Sequence, residues 1–377
     1  MTPNPAHVLG IDAVRFLAAL MVMLFHFGFW AGFMHGSHAE LASQGLVIYP
    51  ALSGWTKYGW IGVQIFFVIS GFVIAYSAEK ASAYRFFVSR SVRLFPAALL
   101  CATITLGVLL LVGSMPKGEL ASAYIKSIVF WPSGPWIDDS YWTLAIEIAF
   151  YGLVFLLLAM NRFAWIARLA IVIGLMSFAF NIVLWLGQDV VAIQQLKEKR
   201  LFELLLLHHG SFFALGVFLW LQLLKQPSRR QLMWIGIFVA ACCMQILAVV
   251  ASLNHKHVGL TAPVPLIIWL LALVVIVMSV RFNALFATLP VWIALALRRV
   301  GLMTYPLYLI HQNTGLAGMG HLIKHGISPY LALALGIGGV LAASWAISAY
   351  LEPHLQKWMK TFLLALPGKT LLRTAGT

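Results

Sequence analysis

The sequence contains few charged residues, and acidic residues are the scarcest of them. Of 377 residues only 11 are Asp or Glu, and charged residues make up 10% of the chain, against 62% hydrophobic residues. Soluble domains typically carry about 25% charged residues to cover their surfaces. The composition therefore excludes a soluble globular protein and predicts an integral membrane protein.

Cysteine is also scarce. The three cysteines, Cys101, Cys242 and Cys243, lie within apolar runs and show no C-x-x-C spacing, so neither a disulfide framework nor a zinc site is indicated. Isolated histidine pairs in predicted loops are weak metal ligands. These pairs are His35 with His38 and His255 with His257. We expect no bound metal.

Apolar runs near 20 residues, the length of a membrane-spanning helix, recur along the chain. They predict an all-α integral membrane protein with about ten transmembrane helices, at 10–33, 58–77, 96–114, 141–160, 164–186, 203–224, 232–252, 263–281, 299–319 and 330–351. The segment 282–298 is apolar but contains Pro290, so we interpret it as interfacial or re-entrant, with an additional span as the alternative.

The charge balance orients these helices. The 25 Lys and Arg residues give a formal net charge of +14, which in a soluble protein would favour nucleic acid as a partner. In a membrane protein such residues collect in cytoplasmic loops and contact anionic lipid. Most of them fall on the inner side when both termini are cytoplasmic. We therefore predict one transmembrane domain over 1–355, a short basic cytoplasmic tail over 356–377, and no nucleic-acid partner.

The first apolar run carries two polar residues, Arg15 and His26. Their separation corresponds to about three helical turns, so both side chains lie on one face, about 16 Å apart along the axis. A cation in hydrocarbon costs about 2.5 to 3.5 kcal/mol, so we expect both groups to face the bundle interior or a wet cavity. The alternatives are an Arg15 that snorkels to the headgroups and a His26 that is only packed in a core.

A carboxylate is predicted at the depth of His26. Glu147 and His26 each lie within about seven residues of the outer end of a predicted helix, which places both about 10 Å below the outer surface. His208, His209 and His311 reach a similar depth. An unpaired buried carboxylate is strongly penalised, so we predict that Glu147 pairs with a histidine.

Two arginines follow the second predicted helix, in the segment RFFVSRSVRLFP, which we interpret as a loop. Arg90 and Arg93 are three residues apart, a spacing that would place both on one helix face and present a forked donor suited to phosphates. An ordinary cluster of cytoplasmic positive charge is the alternative.

These motifs together resemble the membrane acyltransferase-3 family. The resemblance spans essentially the whole chain. It rests on Arg15 with His26, on FFVISGF around Ser70, on Arg90 with Arg93 and Pro96, on W-T-L-x-x-E from Trp142 and Thr143 to Glu147, and on TYPLYLIH from Thr304 through Tyr305 to His311.

The resemblance implies an O-acyltransferase of a bacterial cytoplasmic (inner) membrane. It implies cytosolic acyl-coenzyme A as donor, acetyl as the default acyl group, and a hydroxyl-bearing glycan, glycolipid or glycoside as acceptor. It also implies that His26 carries the chemistry. The residues assigned to substrate binding are Arg15, Ser70, Arg90, Arg93, Trp142, Thr143, Tyr305 and His311.

The chemistry of the residues agrees with that assignment. A neutral imidazole is suited to remove the proton of an attacking hydroxyl near pH 7, and a carboxylate, for which we choose Glu147, can orient the imidazole. An acyl-imidazole intermediate is the other route. The competing class is a transporter or flippase for a glycan or related polar substrate, because intramembrane charges also mark translocation paths.

The predicted orientation is tested by reporter fusions. A reporter that is active only outside the cytoplasm should be active after Gly54 or Pro135 and inactive after Ala83 or Gln226. The opposite pattern would remove the basis for placing His26 and Glu147 near the outer surface.

Overall fold

The computed structural model describes residues 8–33, 37–113, 115–187, 190–225, 227–286 and 288–365. These residues form helices and turns, and none of them lies in a strand. The all-α fold predicted from the composition is confirmed.

The described residues include nine helices that are long and apolar enough to cross a membrane. The helices are numbered here in chain order together with the shorter ones. They are α1 Leu9–Phe33, α2 His38–Ser43, α3 Pro50–Ala78, α4 Ala83–Val112, α5 Lys117–Ile128, α6 Asp139–Ala159, α7 Phe163–Leu186, α8 Val191–Glu198, α9 Arg200–Leu204, α10 Gly210–Leu224, α11 Arg229–His255, α12 Pro263–Arg281, α13 Asn283–Phe286, α14 Val291–Lys324 and α15 Pro329–Ala365.

The sixth predicted span, 203–224, is represented by α10, which has 15 residues. Its residues from Gly210 to Trp220 are all buried. A helix that is apolar on every face and enclosed by protein need not have the length that lipid contact demands. His208 and His209 lie in the turn before α10 and not within the helix.

The arginine segment is helical, so its interpretation as a loop was wrong. Arg90, Arg93 and Pro96 all lie within α4. Proline in a membrane helix is tolerated where neighbouring groups stabilise the backbone around it. The hydroxyls of Tyr305 and Tyr141 donate to the carbonyls of Leu94 and Ala98, at 3.2 and 2.9 Å.

The segment 282–298 divides into two parts. Asn283–Phe286 is a short helix, whereas the residues from Val291 onward belong to α14. Pro290 is the N-cap of α14, a place where proline starts a helix without costing a hydrogen bond. The last helix is also longer than predicted, because α15 continues to Ala365. The rest of the predicted basic tail, 366–377, lies outside the described residues.

Contacts divide the chain into two compact units. The first consists of Met1–Gly62, Val92–Ala145 and Leu285–Lys360. In this unit α14 packs against α1, α2 and α15. The backbones approach closely where glycines allow it, as at Gly320, which lies against the Ser43 carbonyl. This unit contains His26 and His311.

The second unit consists of Val63–Ser91, Ile146–Ala284 and Thr361–Thr377. Its centre is α10, which packs against α7 and α11. Gly71 of α3 and Gly216 of α10 let two backbones meet, because a Cβ at Gly216 would overlap the Val68 carbonyl oxygen and one at Gly71 would overlap that of Phe213. This contact places the neighbouring Ser70 within the unit.

The close approach at Gly216 predicts a specific loss of stability. Gly216→Ala forces the backbone of α3 away and should lower stability by about 1 to 3 kcal/mol, the usual cost of overpacking. Gly236→Ala in α11 is the matched control, because, apart from the adjoining backbone of its own helix and its chain neighbours, no atom of the described residues lies within 4 Å of the place that a Cβ would take there. The apparent melting temperature in detergent should fall for the first variant only. Equal melting temperatures would contradict the packing argument.

Candidate functional site

His26 lies where helix α1 changes from α-helical to π-helical geometry. The segment His26–Trp30 is a π-helix that follows the α-helical Leu9–Phe25. A π-helical turn contains an extra residue and is frequent at functional sites, because it redirects one side chain without ending the helix. The ring of Phe25 packs edge-on against the His26 ring, with centroids 5.3 Å apart.

The structure brings His26 into contact with His311. The Nδ1 atom of His26 lies 2.8 Å from the Nε2 atom of His311. His311 is fully buried, whereas His26 is partly exposed. Both residues belong to the first unit.

The other ring nitrogen of His311 determines which atom carries each proton. Its Nδ1 lies 2.9 Å from the Tyr308 carbonyl and 3.1 Å from the Leu307 carbonyl. Carbonyl oxygens only accept hydrogen bonds, so Nδ1 of His311 is the protonated nitrogen and Nε2 is the acceptor. In the neutral pair Nδ1 of His26 must then be the donor. The lone pair of His26 is therefore on Nε2.

Side chains of α6 adjoin this histidine pair within the first unit. Thr143 is buried, and its Oγ1 lies 3.2 Å from the Tyr308 hydroxyl. Trp142 is half-buried at the start of the same helix. Tyr305 lies one turn before Tyr308. The Arg93 guanidinium stacks over the Tyr305 ring, 5.5 Å from its centroid. Four sequence-predicted residues are thus placed in one unit with His26 and His311.

The second unit gathers another set around Glu147. Its Oε1 atom accepts hydrogen bonds from the Ser70 hydroxyl at 2.8 Å and from the Tyr151 hydroxyl at 2.6 Å. The Arg90 guanidinium lies over the Tyr151 ring at 5.8 Å and over the Phe86 ring at 5.7 Å. Ser70, Arg90 and Glu147, which were predicted from separate motifs, therefore share one cluster.

The remaining predicted residues have less defined surroundings. Arg15 is half-buried on α1. The ring of His209 packs on Phe67, with centroids 4.9 Å apart. The predicted pairing of His26 with Glu147 joins residues of different units and stays a prediction. Among the residues that the structure describes, no group of three or more His, Cys, Asp or Glu side chains is arranged to hold a metal ion.

Comparison with known families assigns the chain to one of them. The profile described as an acyltransferase domain matches residues 8–349, which include both clusters. The chain belongs to the acyltransferase-3 family.

Several curated proteins resemble this acyltransferase-3 chain. One from Komagataeibacter xylinus, provisionally named a membrane-bound transacylase, is 28% identical over 255 residues, or 61% of this chain. Another from Bacillus subtilis (strain 168), provisionally named a peptidoglycan O-acetyltransferase, is 28% identical over 234 residues, or 54% of this chain. An O-acetyl transferase of Shigella phage Sf6 is 35% identical over 95 residues, or 25% of this chain.

The chain spans 55% of the first relative's length, 33% of the second's and 24% of the third's. No solved structure matches the chain. The comparisons therefore establish the family, and the structure described above supplies the geometry.

Sequence reasoning missed several residues that lie in or next to the two candidate clusters. Tyr151 follows Glu147 by four residues, a spacing that places both on one helix face and could have revealed it. Asp138 and Asp139, in a chain with so few acidic residues, also went unassigned. They contact Gln312 and Asn313, which follow His311 directly.

Asp138 lies before α6 and is completely buried. Burial raises the pKa of its carboxyl group from the ordinary 3.8 to about 6, although Ser140 and the backbone at 312–313 donate hydrogen bonds to it. The folded protein therefore takes up a proton at a higher pH than the unfolded chain does.

This shift predicts how stability depends on pH. The pKa of Asp138 is higher in the folded protein than in the unfolded chain, so protonation of Asp138 favours the folded protein. This stabilisation is complete below about pH 4 and is lost as the pH rises through about 6. The free energy of unfolding changes by at most about 3 kcal/mol over this range. The apparent melting temperature of the wild type, measured in detergent between pH 4 and 8, should rise on acidification relative to that of Asp138→Asn.

The control variant is Glu119→Gln, which removes an exposed carboxylate on α5. Its pH profile should run parallel to that of the wild type. A parallel profile for Asp138→Asn as well would show that Asp138 does not titrate in this range.

Proposed function

We propose that the protein is a membrane-embedded O-acyltransferase. It transfers an acyl group, acetyl by the family default, from cytosolic acyl-coenzyme A to a hydroxyl of a glycan, glycolipid or secreted glycoside. The observation that carries this proposal is the contact between His26 and His311, which leaves an unprotonated Nε2 on a partly exposed histidine. The names of the three relatives, a transacylase and two O-acetyltransferases, support the reaction class.

The reaction requires a base at neutral pH. An alcohol attacks a thioester slowly unless its proton is removed, and imidazole is suited to that task. Nε2 of His26 takes the hydroxyl proton while the hydroxyl oxygen bonds to the thioester carbonyl carbon. The carbon–sulfur bond then breaks, and the thiolate of coenzyme A leaves with the proton from the imidazolium. In the covalent route the same lone pair on Nε2 attacks the thioester first.

His311 supports this step through its tautomer. Because its Nδ1–H is held by the Tyr308 and Leu307 carbonyls, its Nε2 accepts from Nδ1 of His26 both before and after Nε2 of His26 is protonated. An imidazole that is held by a fixed acceptor keeps its basic nitrogen in one direction. His311 thus takes the orienting role that the sequence assigned to a carboxylate.

Glu147 is the second catalytic group of the proposal. Its contacts with Ser70 and Tyr151 hold one carboxylate oxygen in place. A fixed carboxylate can stabilise an imidazolium or orient the acceptor hydroxyl. The rates of acyl transfer by the single and double variants of Glu147 and His26 distinguish these roles.

The arginines are proposed to bind the donor. Among the residues that the structure describes, the buried Nε atom of Arg90 has no hydrogen-bond partner, so a phosphate oxygen would satisfy it. Arg93, three residues on in α4, and Arg15 are further proposed donor-binding residues, each on the strength of the sequence motif that contains it. A cytosolic donor and an envelope acceptor place the protein in the inner membrane of a bacterium.

Acyl transfer by purified protein in liposomes tests the proposal. With labelled acetyl-coenzyme A and an envelope glycan preparation, His26→Ala should abolish transfer. His311→Leu should lower kcat on the order of 10² to 10⁴-fold, the contribution typical of acid–base groups. His311→Gln should retain more activity than His311→Leu, because its amide oxygen still accepts from Nδ1 of His26.

Donor binding and Glu147 are measured in the same preparation. Every variant should still bind acetyl-coenzyme A, which separates loss of chemistry from loss of fold. Glu147→Gln should slow the wild type and leave the residual rate of His26→Ala unchanged if the carboxylate acts through the imidazole. Full activity of His26→Ala would overturn the proposed function.

A further inference from the structure

The segment 137–139 binds the part of α14 that directly follows His311. The Nε2 atom of Gln312 donates to Oδ2 of Asp139 at 3.0 Å. The Nδ2 atom of Asn313 donates to the Ile137 carbonyl at 2.9 Å. The backbone N–H of Asn313 donates to Oδ2 of Asp138, also at 2.9 Å. All of these residues belong to the first unit.

Asp138 also connects this point to the beginning of α6. Its Oδ1 atom accepts from the backbone N–H of Ser140 at 3.0 Å and from the Ser140 hydroxyl at 2.6 Å. One buried carboxylate therefore joins two helices, with one oxygen directed to each. Gln312 and Asn313 are as deeply buried as Asp138.

The backbone of α14 needs such an external support near His311. Pro306 lies inside this helix, and its lack of an N–H removes the bond to the Leu302 carbonyl. Helices bend most readily at such positions. The ring of His311 is held by carbonyls of residues 307 and 308, directly after Pro306, so a bend there would move the ring.

We propose that Asp138 and Asp139 are positioning residues that hold the turn of α14 carrying His311, and thereby keep His311 within hydrogen-bond distance of His26. The proposal rests on the proposed function, because it assigns a role to these carboxylates only through the histidine pair.

The chemistry of the contact explains why carboxylates are used. Each carboxylate oxygen can accept hydrogen bonds, and the two oxygens of Asp138 accept from Ser140 and from Asn313, so one side chain holds two helices. A displacement of about 1 Å at a catalytic group can cost on the order of 100-fold in rate. Burying two adjacent acidic residues is costly unless they are hydrogen-bonded, and here both are.

A donor–acceptor exchange across Gln312 and Asp139 tests the proposal. Gln312→Glu places a carboxylate against Asp139 and should lower kcat for acyl transfer about tenfold or more, with the KM for acetyl-coenzyme A unchanged. Adding Asp139→Asn restores a donor opposite the new carboxylate and should recover most of kcat. Asp139→Asn alone should have a small effect, because its amide oxygen still accepts from Gln312.

Combining Gln312→Glu with His311→Leu shows whether the contact of Gln312 with Asp139 acts through His311. Gln312→Glu should not slow this variant further, since the group being positioned is already absent. All proteins are compared at equal monodispersity and with their melting temperatures recorded. Failure of Asp139→Asn to rescue Gln312→Glu, or an equal loss in the His311→Leu background, would overturn the positioning role.

The two proposals fail in different ways. If His311→Leu transfers acyl groups as fast as the wild type, the proposed function is wrong at the histidine pair. If His311→Leu is slow but Gln312→Glu is not, only the positioning role assigned to the contact of Asp139 with Gln312 is wrong.

Discussion

The contact between His26 and His311 depends on a constraint that applies throughout this protein, namely that a polar group surrounded by apolar helices must find a partner within the fold. For His311 the partners are the Leu307 and Tyr308 carbonyls of its own helix. Because those carbonyls only accept, they determine the tautomer of His311 and, through it, that of His26. The basic nitrogen of the site is thus selected by backbone groups of α14.

The same constraint organises the second unit. Glu147 is stabilised by two hydroxyl groups, from Ser70 on α3 and Tyr151 on its own helix, and no cation is among these two partners. Hydroxyl donors stabilise a carboxylate without neutralising its charge. Glu147 is therefore held by two hydrogen bonds, and neither of these two contacts is an ion pair. Arg90 instead packs on the ring of Tyr151.

The surrounding structure converts these local contacts into a fixed arrangement. Glycines at 71 and 216 bring the backbones of α3 and α10 together, and Ser70, next to Gly71, donates to Glu147. In the first unit, Pro306 weakens α14 next to His311, and the carboxylates at 138 and 139 hold the turn that follows. In both units a residue that permits close or irregular backbone geometry lies beside a residue of the proposed chemistry.

The all-α membrane fold and the residues of unusual polarity could be predicted from the amino-acid order, because a charge or imidazole in a 20-residue apolar run is recognisable without a structure. The interpretation of RFFVSRSVRLFP as a loop was wrong, because Arg90, Arg93 and Pro96 all lie within α4. The contact of His311 with His26, and the support of the next turn by Asp138 and Asp139, became visible only once the helices were packed. Hydrogen bonds between residues more than 170 positions apart depend on that packing, and no local pattern encodes it.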